Sequence, residues 1–345
     1  MVVLSISILA QSALCFQANE DRKPIQIGSI DYFGYAGLNL KQVADHLPIH
    51  VGDSVNPDSF DRQKEAIQRV VKEFTGKPAT DIATVCCDSS RRLLIYIGLN
   101  GESSHLVPHN RLPHGQDHLE DAALKLYERD MAAVQDAVRR GASSEDESKG
   151  YALSADPAAR QVELGIRTYA ASRGEELERV LRNSSDPQQR QASACLLGYA
   201  DRSAAQIQGL VQAASDADDD VRNNAVRALA VLASAKNADS VNVDPTPFID
   251  LLFSGQWTDR NKGSFLLFRL TQKRDPIFLK KLHEQALGPL IEGARWNNSG
   301  HSSVFLFILG RIEGIPTTEL SRLIEKGDKA EIISTAEETL RKSSH

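Results

Sequence analysis

The sequence is poor in the residue types that announce chemistry. It has four Cys, two Trp and two Met in 345 residues. No CxxC pair sets the spacing of a thiolate metal site, and the four Cys do not make a disulfide framework. Cys15 falls in the first apolar segment and Cys195 in a helical pattern. Cys86 and Cys87 are neighbours, whose side chains would point to opposite faces of a strand. All read as free, buried thiols. No block of Lys and Arg interrupts a net charge of −6, which removes the basic footprint that nucleic-acid binding requires. GxSxG, HExxH, P-loop and GxGxxG motifs are missing, and no Asp/Glu pair stands out as acid and base. The expectation is a protein without a catalytic centre and without a cofactor. After residue 18 no apolar run is long enough to cross a bilayer.

The start of the chain, MVVLSISILAQSALCFQA, is apolar and uncharged through Leu14. It is too short for a membrane span and suits the core of a signal peptide over residues 1–18, although no Lys or Arg precedes it. On this reading the protein is exported, periplasmic or secreted, and not membrane-spanning once the signal is removed. Without a signal, the segment is a buried strand or helix and the protein is cytoplasmic.

Residues 24–99 alternate strand and helix patterns. IQIGSIDYFG alternates and ends in a Gly turn; Leu38, Val43 and Leu47 share a helical face. After a turn-rich connection, Asp58 or Ser59 caps a helix striped by Phe60, Ile67, Val70, Val71 and Phe74 and stopped at Gly76. Two strands follow around Asp88-Ser89-Ser90, giving the order β-α-α-β-β. With Gly52-Asp53 ahead of the long helix, and LLIYIGL at the end, this segment resembles a POTRA-type domain. The resemblance implies a small α+β module that binds polypeptide, by adding a strand at a sheet edge; no barrel sequence follows it here.

Residues 100–116 form a loop, NGESSHLVPHNRLPHGQ. A helix over about 117–140 and an acidic excursion through 155 link it to the rest. From Asp156, with Pro157 at a first-turn position, the chain reads as helix after helix to residue 340.

Within that helical region one phrase occurs twice. SSDPQQRQASACLLGYA (Ser184–Ala200) and SDADDDVRNNAVRALAVLA (Ser215–Ala233) align with Arg190 on Arg222, Asp186 on Asp218, Ser193 on Ala225, Leu197 on Leu229 and Gly198 on Ala230. The acid caps a helix, the small residues allow close approach, the Leu fills a seam between helices, and the Arg can pair with acids of the next copy. A helix pair cannot bury its own apolar face, so copies stack. These units resemble short bacterial HEAT repeats, of the kind also called PBS-lyase-type. FIDLLFSGQWTDRNKGSFLLFRLTQ and ALGPLIEGARWNNSGHSSVFLFILGRI look like degenerate copies, and a pair near Ala158–Leu181 begins the series. The resemblance implies an α-helical solenoid, a right-handed superhelix of four or five helix pairs over residues 156–340, preceded by the small α+β domain. A plain helical bundle is the alternative.

What the resemblance implies for function is a non-catalytic scaffold, in the bacterial cell envelope, that binds a protein partner on the solenoid surface. Its candidate contact residues are the acidic turn Asp218, Asp219 and Asp220, then Arg222, Arg227, Trp257 and Trp296; the two Trp suit core packing as well as exposed anchoring. Other proteins with HEAT-type repeats act as bilin lyases or excise damaged bases. The alternative is therefore a HEAT-type lyase or a metal-binding enzyme or carrier. That alternative would use His105, His109, His114 and His118, four imidazoles within fourteen positions, against the plainer reading of a solvated Pro-rich loop.

Overall fold

The computed structural model describes residues 24–56, 60–235 and 243–343. The apolar start and the expected caps Asp58 and Ser59 lie outside the described residues. Fourteen α-helices and a small N-terminal mixed sheet make up most of the rest. No helix among the described residues is long and apolar enough to cross a membrane. The chain divides into two compact units: Pro108–Phe248 in one, and the residues through Val107 together with Ile249–His345 in the other. The C-terminal helices thus belong with the sheet, across the segment boundaries drawn on the sequence.

In the sheet-bearing unit, the strands β1 (Ile25–Phe33), β2 (Ser54–Val55), β3 (Asp81–Val85) and β4 (Leu93–Gly98) lie in the order β2-β1-β4-β3. β1 is parallel to β4, and the β1–β2 and β3–β4 pairs are antiparallel. The two-residue β2 sits in the segment read as a connection. Helices α1 (Leu40–Asp45) and α2 (Phe60–Thr75) cover one face and close a core of Ile27, Val43, Ile67, Val71, Ile95 and Ile97. A register shift between Ile27 and Ser29 turns β1 over. Ile27 faces that core, whereas Asp31 bonds to Asn297 and Phe33 lies under the Arg260 guanidinium. All six residues of β4 are buried, as expected of a strand covered on both faces.

The second face carries helices α10 (Trp257–Leu270) and α11 (Pro276–Ala294), which pack on β4 and β1, with α12 (Ser299–Ile312), α13 (Thr317–Lys326) and α14 (Lys329–Ser343) behind them. Three carboxylates tie sheet to helices. Glu292 accepts the backbone N–H groups of Gly34 (2.7 Å), Tyr35 (3.0 Å) and Ala36 (3.1 Å), the Ser103 hydroxyl (2.5 Å) and Arg260 Nη1 (3.2 Å). Asp31 accepts the backbone and side-chain N–H groups of Asn297 (2.9 and 2.7 Å), and Asp81 accepts Trp257 N–H (2.9 Å). The turn that offers three N–H groups to one carboxylate needs φ +70° at Gly34, a conformation glycine adopts freely.

Cys86 and Cys87 correct the expectation of free thiols. They are joined to each other by a disulfide across a cis peptide bond. β3 ends at Val85, so strand alternation no longer separates their side chains.

The Pro108–Phe248 unit holds α3 (Asp121–Arg139), a two-residue hairpin β5 (Glu145–Asp146) and β6 (Leu153–Ser154) inside the acidic excursion, and then α4 (Pro157–Ala170), α5 (Gly174–Asn183), α6 (Pro187–Leu197), α7 (Ala204–Ala213) and α8 (Asp219–Ser234). A short helix α9 (Thr246–Leu251) follows. α4, α6 and α8 pack side by side, α5 and α7 make a second row on α6 and α8, and α3 lies on α4 and α6.

One local construction recurs at the start of four helices. Arg160, Arg190, Arg222 and Arg260 each donate to the backbone carbonyl six residues back, at Ser154 (3.3 Å), Ser184 (3.0 Å), Asp216 (2.9 Å) and Ser254 (2.7 Å). In every copy the side chain of that earlier residue accepts the N–H two residues on, from Asp156, Asp186, Asp218 and Gln256. The guanidinium closes the turn and the small polar side chain sets the entry into the helix. The copies are 30, 32 and 38 residues apart. Arg190 also grips Asp216 with two bonds of 2.9 Å, joining one copy to the next.

Candidate functional site

α8 begins at Asp218, whose carboxylate accepts Val221 N–H at 3.0 Å and Gln191 Nε2 at 3.0 Å. Two and a half turns on, Arg227 reaches the open side of the α6–α8 seam. There a small cleft, open to solvent, is lined by Ala152, Cys195, Gly198, Tyr199, Asn224, Arg227, Ala228 and Val231. Gly198 makes the seam close: a Cβ on it would stand 2.9 Å from that of Ala228. Leu197, Ala225 and Leu229 fill the seam and are fully buried.

Behind the Arg227 guanidinium lie three carboxyl groups from three elements: Asp130 on α3, Glu145 on β5 and Glu163 on α4. Arg227 Nη2 binds Glu145 Oε1 at 2.5 Å, Ser154 N–H binds Glu163 Oε2 at 2.5 Å, and the Cys195 thiol lies 4.0 Å from Asp130 Oδ2. The other oxygen of each carboxyl, Asp130 Oδ1, Glu145 Oε2 and Glu163 Oε1, is buried and has no hydrogen-bond partner. Burial pushes the Asp130 carboxyl up to about 7, against the opposing pull of Arg227; burial, aided by Asp130 and Glu145, pushes Glu163 up to about 7. Burial also drives the Cys195 thiol far up. This thiol stays protonated at neutral pH and is no activated nucleophile. What the arrangement can do chemically is hold protons.

The residues singled out in the sequence separate into groups. Arg190 and Arg222 are 1% and 2% exposed and serve the turns just described. Asp186 caps α6 through Gln188 N–H, Asp219 is exposed, and Asp220 is half-buried, with its carboxyl pushed up to about 6 by burial and by its acidic neighbours. Trp257 and Trp296 are buried, which agrees with their reading as core residues and removes them from the candidate contact surface. Trp257 stacks on Tyr96 at 4.8 Å, and Trp296 donates to the Tyr32 carbonyl at 3.0 Å. A His–Tyr pair is buried instead: His301 meets the Tyr96 hydroxyl at 2.6 Å, and burial lowers the His301 imidazole to about 3.

His105, His109, His114 and His118 are all exposed on irregular backbone. Among the described residues no three His, Cys, Asp or Glu side chains come together to hold a metal ion. The segment instead pins its backbone to the repeat turns. Gly115 N–H donates to Asn183 (2.8 Å), Asn110 N–H to Ser215 (2.7 Å) and His105 N–H to Phe253 (3.1 Å). Those carbonyls stand seven residues before Arg190, Arg222 and Arg260. The signal that would have found this is a five-residue echo, Pro108-His109-Asn110 and Pro113-His114-Gly115, whose third members are the donors.

Asp130, Glu145, Glu163 and Cys195 carried no sequence signal; the acids looked like members of solvated helix faces. No protein-family model matches this chain, and no curated protein matches it in sequence.

Proposed function

We propose that this chain is a non-catalytic protein-interaction scaffold: a HEAT-type helical solenoid, coupled to a POTRA-like α/β module, that carries a protein partner on its repeat surface. The observation that carries the reading is the arginine turn repeated at Arg160, Arg190, Arg222 and Arg260. A unit copied with its internal bonds intact and stacked in two rows is how solenoids build extended binding surfaces. The protonated state of Cys195 and the scattering of the exposed His residues give the lyase and metal readings nothing comparable. The same reading puts the protein in the cell envelope, on the strength of its apolar first fourteen residues; the N-terminal sequence of the mature protein checks that.

The test uses the full chain as bait, with chemical cross-linking and mass spectrometry of what it holds. The double variant Asp219→Lys/Asp220→Lys changes the charge of the acidic turn and spares the cap Asp218. The expected result is one protein cross-linked near α8 by the natural chain and lost from the variant. Capture unchanged by the variant would move the contact away from this turn. The absence of any specific protein would end the scaffold reading.

A further inference from the structure

Three carboxyl groups and one guanidinium meet inside the repeat unit. If every acid were ionised, the set would carry two net negative charges away from water, a state that costs several kcal/mol per uncompensated ion. Each carboxyl has one satisfied oxygen and one orphan. Glu163 is fully buried, Asp130 is 6% exposed, and the Glu145 side chain is 2% exposed. The orphan atoms are all acceptors, so the partners they lack are hydrogens on donors. An acid that keeps its proton removes one of the excess charges.

The other groups facing the set do not supply this. On α3, Tyr127 is engaged with Asn224 of α8. From α4, Arg160 donates to Ser154 and Arg167 to the Tyr199 carbonyl. At the end of α6, Cys195 and Tyr199 are held neutral by burial. Asp220, in the first turn of α8, is itself an acid. Tyr151, between β5 and β6, faces the Tyr199 ring. Among the described residues Arg227 is the cation bonded to the set, through Glu145.

We propose that Asp130 and Glu163, set beside the Glu145–Arg227 ion pair, form a proton-binding site, which draws the β5–β6 hairpin and α4 onto α3 and α8 while it holds its protons and loosens that junction as it releases them. The step is a plain acid dissociation: each lost proton passes to solvent and leaves a carboxylate behind. The upward displacement of Asp130 and Glu163 toward neutrality agrees with this. In an opened junction both acids would return to ordinary values near 4. Opening therefore releases a proton from each between pH about 4 and about 7, becomes easier as pH rises through that window, and levels off above it. The inference needs no partner and stands apart from the scaffold reading.

The test is made on the full chain without a partner. Infrared difference spectra between pH 5 and pH 8 would show the carbonyl stretch of protonated, buried carboxyls at the lower pH and its loss at the higher. Glu163→Gln and Asp130→Asn, which imitate the protonated forms, should each remove one component of that band. Hydrogen exchange, corrected for intrinsic rate, should show protection of residues 145–160 in the natural chain falling by on the order of tenfold per pH unit per released proton between pH 5 and 7. It should stay nearly constant in the double variant. A spectrum without the protonated band at pH 5 overturns the proposal, since the acids would then be ionised in the folded state. Protection that is equally independent of pH in the natural chain overturns the loosening, even with the band present. The infrared measurement on the natural chain does not depend on any variant folding.

Discussion

The two units bury carboxylates under opposite terms. In the sheet-bearing unit, Glu292 has five donors, three of them backbone N–H groups, and its counterion Arg260 bonds in addition to two backbone carbonyls. In the repeat unit, the Arg227 guanidinium bonds to Glu145 and not to Asp130 or Glu163, and the three acids leave three oxygens without donors. The first arrangement is charge satisfied by geometry. The second is charge that geometry fails to satisfy, so protons must. A buried acid is therefore read as structural or as responsive by counting its donors, and its depth alone does not distinguish the two.

The largest effect should come from breaking the satisfied site. Glu292→Ala leaves the Arg260 guanidinium buried and unpaired and orphans the N–H groups of Gly34, Tyr35 and Ala36. Loss of one partner of a buried, hydrogen-bonded pair costs about 3–5 kcal/mol. Both Trp residues lie in this unit, so the fluorescence midpoint in urea reports its unfolding and should fall sharply. Next is Arg190→Met, which removes the two bonds to Asp216 and those to the Ser184 and Ser185 carbonyls. It should cost about 3 kcal/mol for the same reason, be visible by circular dichroism, and leave the fluorescence midpoint less affected than Glu292→Ala does.

The pH dependence of the two units should have opposite signs. His301 is buried and neutral, lowered to about 3 from an ordinary 6.5. A depressed base binds fewer protons folded than unfolded, so its contribution is present above pH 6.5 and is lost as pH falls toward 3. Asp130 and Glu163 are raised, so their contribution is full below about 4 and is lost as pH rises to about 7. Fluorescence should therefore report weakening on the acid side, and hydrogen exchange in α3 and α4 weakening toward neutrality. His301→Gln should flatten the first limb and Glu163→Gln the second. If both limbs run in the same direction, the contrast between the units fails.

Much of this was legible in the chain, and the part that was not has physical causes. The Arg190 and Arg222 copies share the acid cap, the Arg and the buried Leu, so two copies were visible. Arg160 makes the same turn and shares with the Arg190 copy the spelling Ser-x-Asp-Pro-x-x-Arg, from Ser154 and from Ser184, whereas the Arg260 copy keeps only the Ser and the Arg of that spelling. Ser254-Gly255-Gln256 replaces the acid cap in the last copy. α10 hides its burial behind Asp259, Arg260, Asn261 and Lys262, all under 3% exposed, so hydrophobic periodicity had nothing to find there. The strands β2, β5 and β6 are two residues long, shorter than any alternation can mark. The acid site joins α3, β5 and α4, and nothing local in the sequence says that residues 130, 145 and 163 converge.

The smallest expected effect separates two copies of the same cap. Asp186 accepts one N–H, from Gln188. Asp218 accepts Val221 N–H and also the Gln191 side-chain amide of the preceding copy. A cap replaced by Ala costs about 1 kcal/mol, and Asp186→Ala should cost about that. Asp218→Ala should cost more by the worth of one hydrogen bond to a charged acceptor in a half-buried site, bringing the total to about 2 kcal/mol. The Gln191→Ala background tells whether the difference arises between copies or within one. In that background the two Ala variants should become equal, because Asp218 is then a cap and nothing more. A persistent excess for Asp218 would place its extra weight in the helix dipole, where Asp219 and Asp220 already crowd the first turn with like charge.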